Sequence, residues 1–198
     1  MISPKIYKLT TENFKWINKP QKFTISEHSL VIETEPETDF WQRTHYGFSK
    51  NNAPAYLTEI QENFTFTVKT SFKTSNRFDQ CGVLFYLDDD NWIKVSVEHE
   101  NDKFARLGSV TTNLGFSDWA TTDISAQVAD MWYRLNLHGQ DVLIEHSSTG
   151  DDYKQMRILH IHKPLINAWI GVYACSPLKS SFRARFSDFM LTKNFKLT

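Results

Sequence analysis

The chain has 198 residues, a formal net charge of −1 and 14% aromatic residues, among them six Trp and fifteen Phe. A chain of this length buries a substantial core without splitting, so one domain spanning 1–198 is expected. The near-balanced charge speaks against nucleic acid as a partner, and the aromatic richness suits pleated sheets better than helices.

The N-terminal run MISPKIYKLTTENFKWINKPQK lacks the apolar core of a secretory signal, and no stretch approaches membrane-spanning length. A cytoplasmic protein with no membrane partner is expected. Opening strands are predicted over 14–17 and 30–33, with Lys19-Pro20 punctuating the interval. The alternating carboxylates Glu33, Glu35, Glu37 and Asp39 enclose Pro36, which lacks a ladder donor, so this segment reads as a loop or edge. Residues 39–48 read as a strand with Trp41, Arg43 and His45 on one face and Phe40, Gln42, Thr44 and Tyr46 on the other. A loop over 49–54 leads to strands over 55–60 and 63–73, the second with Phe64, Phe66, Val68 and Phe72 turned inward.

The stretch 80–119 organises the chain. Two alternating apolar runs meet at the acidic tip Asp88, Asp89, Asp90 and Asn91, a strand, tight turn and strand. In the second run Ile93, Val95 and Val97 share one face, while Trp92, Lys94, Ser96 and Glu98 share the other. A third strand over 106–113 then enters a compact element, Gly115-Phe116-Ser117-Asp118-Trp119. Residues 121–131 are the one place where a helical turn is expected. A hairpin follows over 132–138 and 141–146, continued by another strand over 151–162. The apolar run 168–175 predicts a strand covered on both sides, and alternation over 181–193 closes the chain.

About twelve short strands with almost no helix imply two stacked antiparallel sheets, with a closed barrel as the alternative. Cys81 and Cys175 lie in apolar strand patterns with no short paired spacing, which reads as two buried small hydrophobes and not as a disulfide or zinc framework.

Several separated blocks then appear in a fixed order: Asp39-Phe40-Trp41 with Arg43-Thr44 and Tyr46-Gly47, Asp79-Gln80-Cys81-Gly82, Asn91-Trp92-Ile93-Lys94, Glu98, and Ser117-Asp118-Trp119. Ala174-Cys175-Ser176-Pro177 and Ala184-Arg185-Phe186-Ser187-Asp188-Phe189 complete the series. Over roughly residues 10–192 the chain resembles the regulation-of-enolase-protein (YesU-like) family, within the concanavalin A-like lectin and glucanase superfamily. The resemblance implies an all-β, two-sheet antiparallel jelly-roll sandwich whose curved sheet offers a concave face to a ligand. It implies no activity, because one scaffold hosts many functions.

Retaining glycosidases need two carboxylates about 5–5.5 Å apart. The glucanase relatives carry them in a run close to E-x-D-x-x-E, which is missing here; Glu98 with Glu100, and the run from Glu33 to Asp39, read as solvated carboxylates at strand ends. His160-Ile161-His162 has a spacing used by sheet-borne metal sites but no partner downstream, and a surface pair explains it. Asp88 to Asn91 lacks the Gly and Glu positions of a calcium loop. No catalytic residue, metal or cofactor is therefore expected.

Binding has a positive signal. If the Trp92 face and the Trp41 face line one concave sheet, Trp41, Arg43, Gln80, Trp92, Lys94, Glu98 and Trp119 form an aromatic and charged cleft. Trp suits the apolar face and hydroxyl edge of a sugar, and the two cations Arg43 and Lys94 favour an acidic sugar. Equally open is a reading in which Trp41 and Trp92 cap the sandwich edge, Lys94 pairs with Glu98, and Trp119 plugs an end. The leading expectation is a lectin-like domain that binds an oligosaccharide. The rivals are an interaction protein that regulates a metabolic enzyme, as the family name suggests, and a glycoside-processing enzyme using Glu98. The oligomeric state is left open.

Overall fold

A computed structural model of the protein describes residues 5–6, 13–61, 63–74 and 76–193. The first strands are β1 (Lys5–Ile6), β2 (Phe14–Ile17), β3 (Phe23–Ile25), β4 (Ser29–Glu33), β5 (Phe40–Gln42), β6 (Ser49–Asn51), β7 (Ala55–Ile60) and β8 (Phe64–Phe72). The central hairpins use β9 (Gln80–Asp88), β10 (Asn91–His99), β11 (Phe104–Asn113) and β12 (Phe116–Ser125). After them come β13 (Asp130–His138), β14 (Asp141–Ser147), β15 (Lys154–His160), β16 (Ala168–Cys175) and β17 (Arg183–Lys193). No helix occurs among the described residues, and so none is long and apolar enough to cross a membrane.

Two large antiparallel sheets pack as a sandwich. One is seven-stranded, in the order β12-β11-β10-β9-β16-β7-β2. The other is eight-stranded, in the order β15-β14-β13-β8-β17-β4-β3, with β1 added beside β17. The main core lies between them. Cys81, Val83 and Phe85 of β9 and Ile93, Val95 and Val97 of β10 meet Phe64, Phe66, Tyr133, Leu135 and Phe186 of the facing sheet. Each such side chain contributes about 1.5–3 kcal/mol by leaving water, which makes the period-two alternation decisive for register.

A second, smaller core covers the other face of the seven-stranded sheet. Leu84, Trp92, Val110, Tyr173 and Cys175 project outward there, and Phe40, Trp41 and Ala53 close over them. The covering piece is the segment carrying β5 and β6, which among the described residues pair only with each other. This explains the near-continuous apolar run of β16: Ile170, Val172 and Ala174 enter the main core while Tyr173 and Cys175 enter the second. Cys81 and Cys175 are buried and unbridged, and burial pushes both thiols well above their ordinary range.

Three local expectations are corrected. The strand over 39–48 ends at Gln42, because Arg43 and His45 adopt positive φ of 56° and 62°, and the chain turns with Arg43 N–H donating to Phe48 O at 2.8 Å. The compact element at Gly115–Trp119 is a hairpin instead: Leu114 and Gly115 make the turn with positive φ, and Phe116 starts β12. No helical turn forms over 121–131. The β-branched Thr121, Thr122 and Ile124 continue β12 opposite Gly108, Leu107 and Ala105, and only the tight bend from Ser125 to Val128 separates β12 from β13.

Candidate functional site

Strand register decides which side chains share the outer face of the seven-stranded sheet. Lys94 of β10 stands opposite Leu84 and Val110, Glu98 opposite Gln80 and Arg106, and Val110 opposite Trp119. Directly paired residues project to the same side, so these form one surface. The β5–β6 segment covers one part of it, and the remainder is the floor of a cleft of about 510 Å³. Gln80, Lys94, Glu98, Val110 and Trp119 line that floor. Asp39, Trp41, Tyr46, Phe48 and Lys50 supply one wall, and Arg77, Phe78, Pro177 and Leu178 the other.

The wall from β5 and its turn is aromatic. Trp41 meets Trp119 edge-on at 6.4 Å and Tyr46 at 5.4 Å, and Tyr46 stacks with Phe48 at 6.0 Å. Trp41 is held in place by its indole N–H, which donates to Thr44 O at 3.0 Å. Tyr46 and Phe48 remain 55% and 43% exposed, unusual for rings of this size unless a surface is used. The Arg106 guanidinium lies 5.4 Å from the Trp119 ring and steadies it from the side.

The floor is polar and ordered. Lys94 Nζ donates to Asp39 Oδ1 at 2.8 Å, and the same oxygen accepts the Phe40 backbone N–H at 2.8 Å. Burial presses the Lys94 ammonium towards neutrality, but the adjacent Asp39 carboxylate outweighs it and holds the pKa above the ordinary lysine value. The expected Lys94–Glu98 pairing is thus replaced by Lys94–Asp39. Glu98 has a different environment. Its Oε2 accepts from Gln80 Nε2 at 2.7 Å, whereas Oε1 is shielded from water and has no partner. Burial pushes its pKa up to about 7, with Lys94 pulling the other way and Asp39 adding to the rise.

Of the residues read from the sequence, Trp41, Gln80, Lys94, Glu98 and Trp119 are brought together. Trp92 and Arg43 are not. Trp92 is 0% exposed, lies under the Phe40 ring at 5.8 Å, and donates its indole N–H to Asp89 O. It shares a face with Lys94, as alternation requires, but the β5 segment covers that end of the strand. Arg43 turns away to bind Asp90 at 3.2 Å and Gly115 O at 2.7 Å. The latter is possible because position 115 is glycine: a Cβ there would lie 1.8 Å from Arg43 Nη1. His45 follows Arg43 into the turn and packs against Tyr46, outside the cleft lining.

Missed from the sequence were Asp39 as the partner of Lys94, the walls Tyr46, Phe48, Lys50, Arg77, Phe78, Pro177 and Leu178, and Val110. Asp39, Tyr46 and Pro177 had a signal, since they lie in the Asp39-Phe40-Trp41, Tyr46-Gly47 and Ala174-Cys175-Ser176-Pro177 blocks. His160 Nδ1 lies 2.6 Å from Asp141 Oδ1 with His162 beside it, and no group of three metal-ligating side chains is present among the described residues. Asp88 accepts from Lys163, Asn91 and the Asp90 backbone, which is the chemistry of a tied turn.

Fold and site together define an antiparallel β-sandwich with an aromatic-walled cleft over a buried carboxyl on one sheet. Residues 16–194 match the family described as a protein of unknown function, DUF1349, and the chain belongs to that family. It is 30% identical over 178 residues to Regulation of enolase protein 1 of Saccharomyces cerevisiae, covering 89% of this chain and 88% of that protein. A crystal structure of a functionally unknown protein from Saccharomyces cerevisiae superimposes with a TM-score of 0.87 at 28% identity, over 96% of this chain and all of that one. The fold also recurs in the Bacteroides ovatus xyloglucan PUL GH43B protein, with a TM-score of 0.74 at 14% identity, over 94% of this chain and 38% of that one.

Proposed function

We propose that this chain is a cytoplasmic, lectin-like module whose cleft binds a carbohydrate. The observation that carries the reading is the combination of wall and floor. Trp41, Trp119, Tyr46 and Phe48 offer ring faces, while Gln80, Lys94 and Glu98 hold directional polar groups in fixed positions beneath them. A pyranose presents an apolar face and a hydroxyl edge, and such a site satisfies both at once. The volume falls within the roughly 300–1,000 Å³ typical of small-molecule sites. A glycoside-processing role for Glu98 would require a second carboxylate free to act across from it, and Asp39 is tied to Lys94 and to the Phe40 N–H.

A glycan array probed with the wild type and with Trp119→Ala tests the proposal. Trp119 is only half-buried, so its removal should leave melting nearly unchanged while weakening glycan binding about thirtyfold, the loss expected for an aromatic anchor worth about 2 kcal/mol. The similarity to Regulation of enolase protein 1 favours a second reading, a protein that binds and regulates a metabolic enzyme. Leu114 and Phe116 at the β11–β12 tip, 66% and 62% exposed, supply an apolar surface for it. An array on which the wild type gives no signal above background would favour that reading over the first.

A further inference from the structure

The case for an acidic ligand rests on two cations, and both are already committed. Lys94 is matched by the Asp39 carboxylate at 2.8 Å, and Arg43 has left the cleft for Asp90 and Gly115 O. Arg77, on the far wall, is paired with Glu100 at 2.8 Å, and Lys50, on the near wall, donates to the Glu37 carbonyl at 2.9 Å. What remains uncommitted on the floor is an acceptor. The direction of the Gln80 amide is fixed because its Oε1 accepts the Tyr173 hydroxyl at 2.9 Å. Its amide nitrogen must then donate, to Phe78 O at 3.1 Å and to Glu98 Oε2 at 2.7 Å. The relay from Tyr173 through Gln80 satisfies one oxygen of Glu98 and leaves the other, Oε1, without a donor. A buried acceptor with no partner costs more than a hydrogen bond returns, so a ligand that supplies the donor gains the difference.

We propose that Glu98 sets the ligand class of the cleft: it accepts a hydroxyl from a neutral sugar, and uronic acids are rejected because their carboxylate would face a second one. This rests on the carbohydrate reading above. Oε1 is screened from bulk water, and a ligand meets it after a turn of the carboxyl about its terminal torsion, which is broad for Glu. Lys94, its charge balanced by Asp39, offers remaining N–H donors to a second hydroxyl. Rejection follows from the same desolvation that isolates Glu98, since like charges in a water-poor cleft repel strongly.

The charged and titratable groups that face Glu98 are Lys94 and Glu100 on its own strand, Arg106 on β11, Asp39 on the covering segment, and Tyr173 and Cys175 on β16. Burial holds the Tyr173 hydroxyl and the Cys175 thiol protonated, and lifts the Glu98 carboxyl to about 7. Only the ionised carboxylate accepts through both oxygens. Its fraction rises from about a tenth at pH 6 to about nine-tenths at pH 8, so neutral-sugar affinity should be roughly tenfold weaker at pH 6.

Calorimetric titration of the full chain with maltotriose, cellotriose and xylotriose as neutral probes, and trigalacturonate as the acidic one, tests this at pH 6 and pH 8. The expected result is binding of at least one neutral trisaccharide, about tenfold tighter at pH 8, with trigalacturonate weaker. In Glu98→Gln the pH dependence should vanish and affinity at pH 8 should fall at least tenfold. Trigalacturonate binding as tightly as any neutral probe, or neutral binding indifferent both to pH and to Glu98→Gln, would overturn the role of Glu98 and leave the carbohydrate reading standing. Binding of none of the four would remove both.

Discussion

Trp92→Ala is expected to destabilise the fold by about 3–5 kcal/mol, the range for truncating a large buried aromatic. Trp92 is the largest of the fully buried side chains and sits at the centre of the second core, between the sheet and Phe40. Its removal leaves Phe40 and Leu84 around a void and takes from the Asp89 carbonyl one of its two side-chain donors, the other being the Gln42 amide. Among the described residues the β5–β6 segment has no sheet partner besides itself, so its position over the face depends on this packing. Ligand binding should therefore fall along with stability, since Asp39 and Trp41 of the cleft wall lie on that segment. Urea unfolding followed by fluorescence measures the loss. A change below about 1 kcal/mol would mean that the second core does not clamp the β5–β6 segment.

The second large effect concerns pH. Glu98 has an ordinary pKa of 4.5 when unfolded and about 7 in the fold, because burial disfavours its charge. A carboxyl shifted upward stabilises the fold in full below its unfolded pKa, and that contribution is lost as pH rises through the folded value. The wild type should therefore lose up to about 3 kcal/mol from this group between pH 4.5 and pH 8. Glu98→Gln cannot ionise. Its stability should match the wild type near pH 4.5 and exceed it by that amount at pH 8, when both are followed by urea melts across the range. Parallel pH profiles for the two proteins would show that Glu98 ionises without the desolvation assigned to it.

The scaffold was legible where one residue reports on its own surroundings. Alternation placed Ile93, Val95 and Val97 inward and Lys94 and Glu98 outward, and the unbroken apolar run of β16 correctly announced cover on both faces. The site was legible only in part, because alternation assigns a face and not what lies over it. Trp92 and Lys94 read identically in the sequence. One is sealed under Phe40 and the other reaches the cleft, and the difference is made by a segment some fifty residues upstream whose placement no local pattern encodes. Arg43 failed for another reason. Its positive φ is a conformation that an arginine does not advertise, and it converts a same-face neighbour of Trp41 into a brace for the β11–β12 turn. The helical turn predicted over 121–131 lost to pairing: β11 offered a full ladder to Thr121, Thr122 and Ile124.

A sugar stacked on the rings of this cleft is reported directly by the indole N–H resonances. Titration of the ¹⁵N-labelled protein with the neutral trisaccharide that binds most tightly should shift the signals of Trp41 and Trp119, which line the cleft, and leave that of Trp92 in place beneath Phe40. Saturating sugar that moves neither Trp41 nor Trp119, or that moves instead Trp92 and Trp132, the latter on β13 of the facing sheet, would contradict the account.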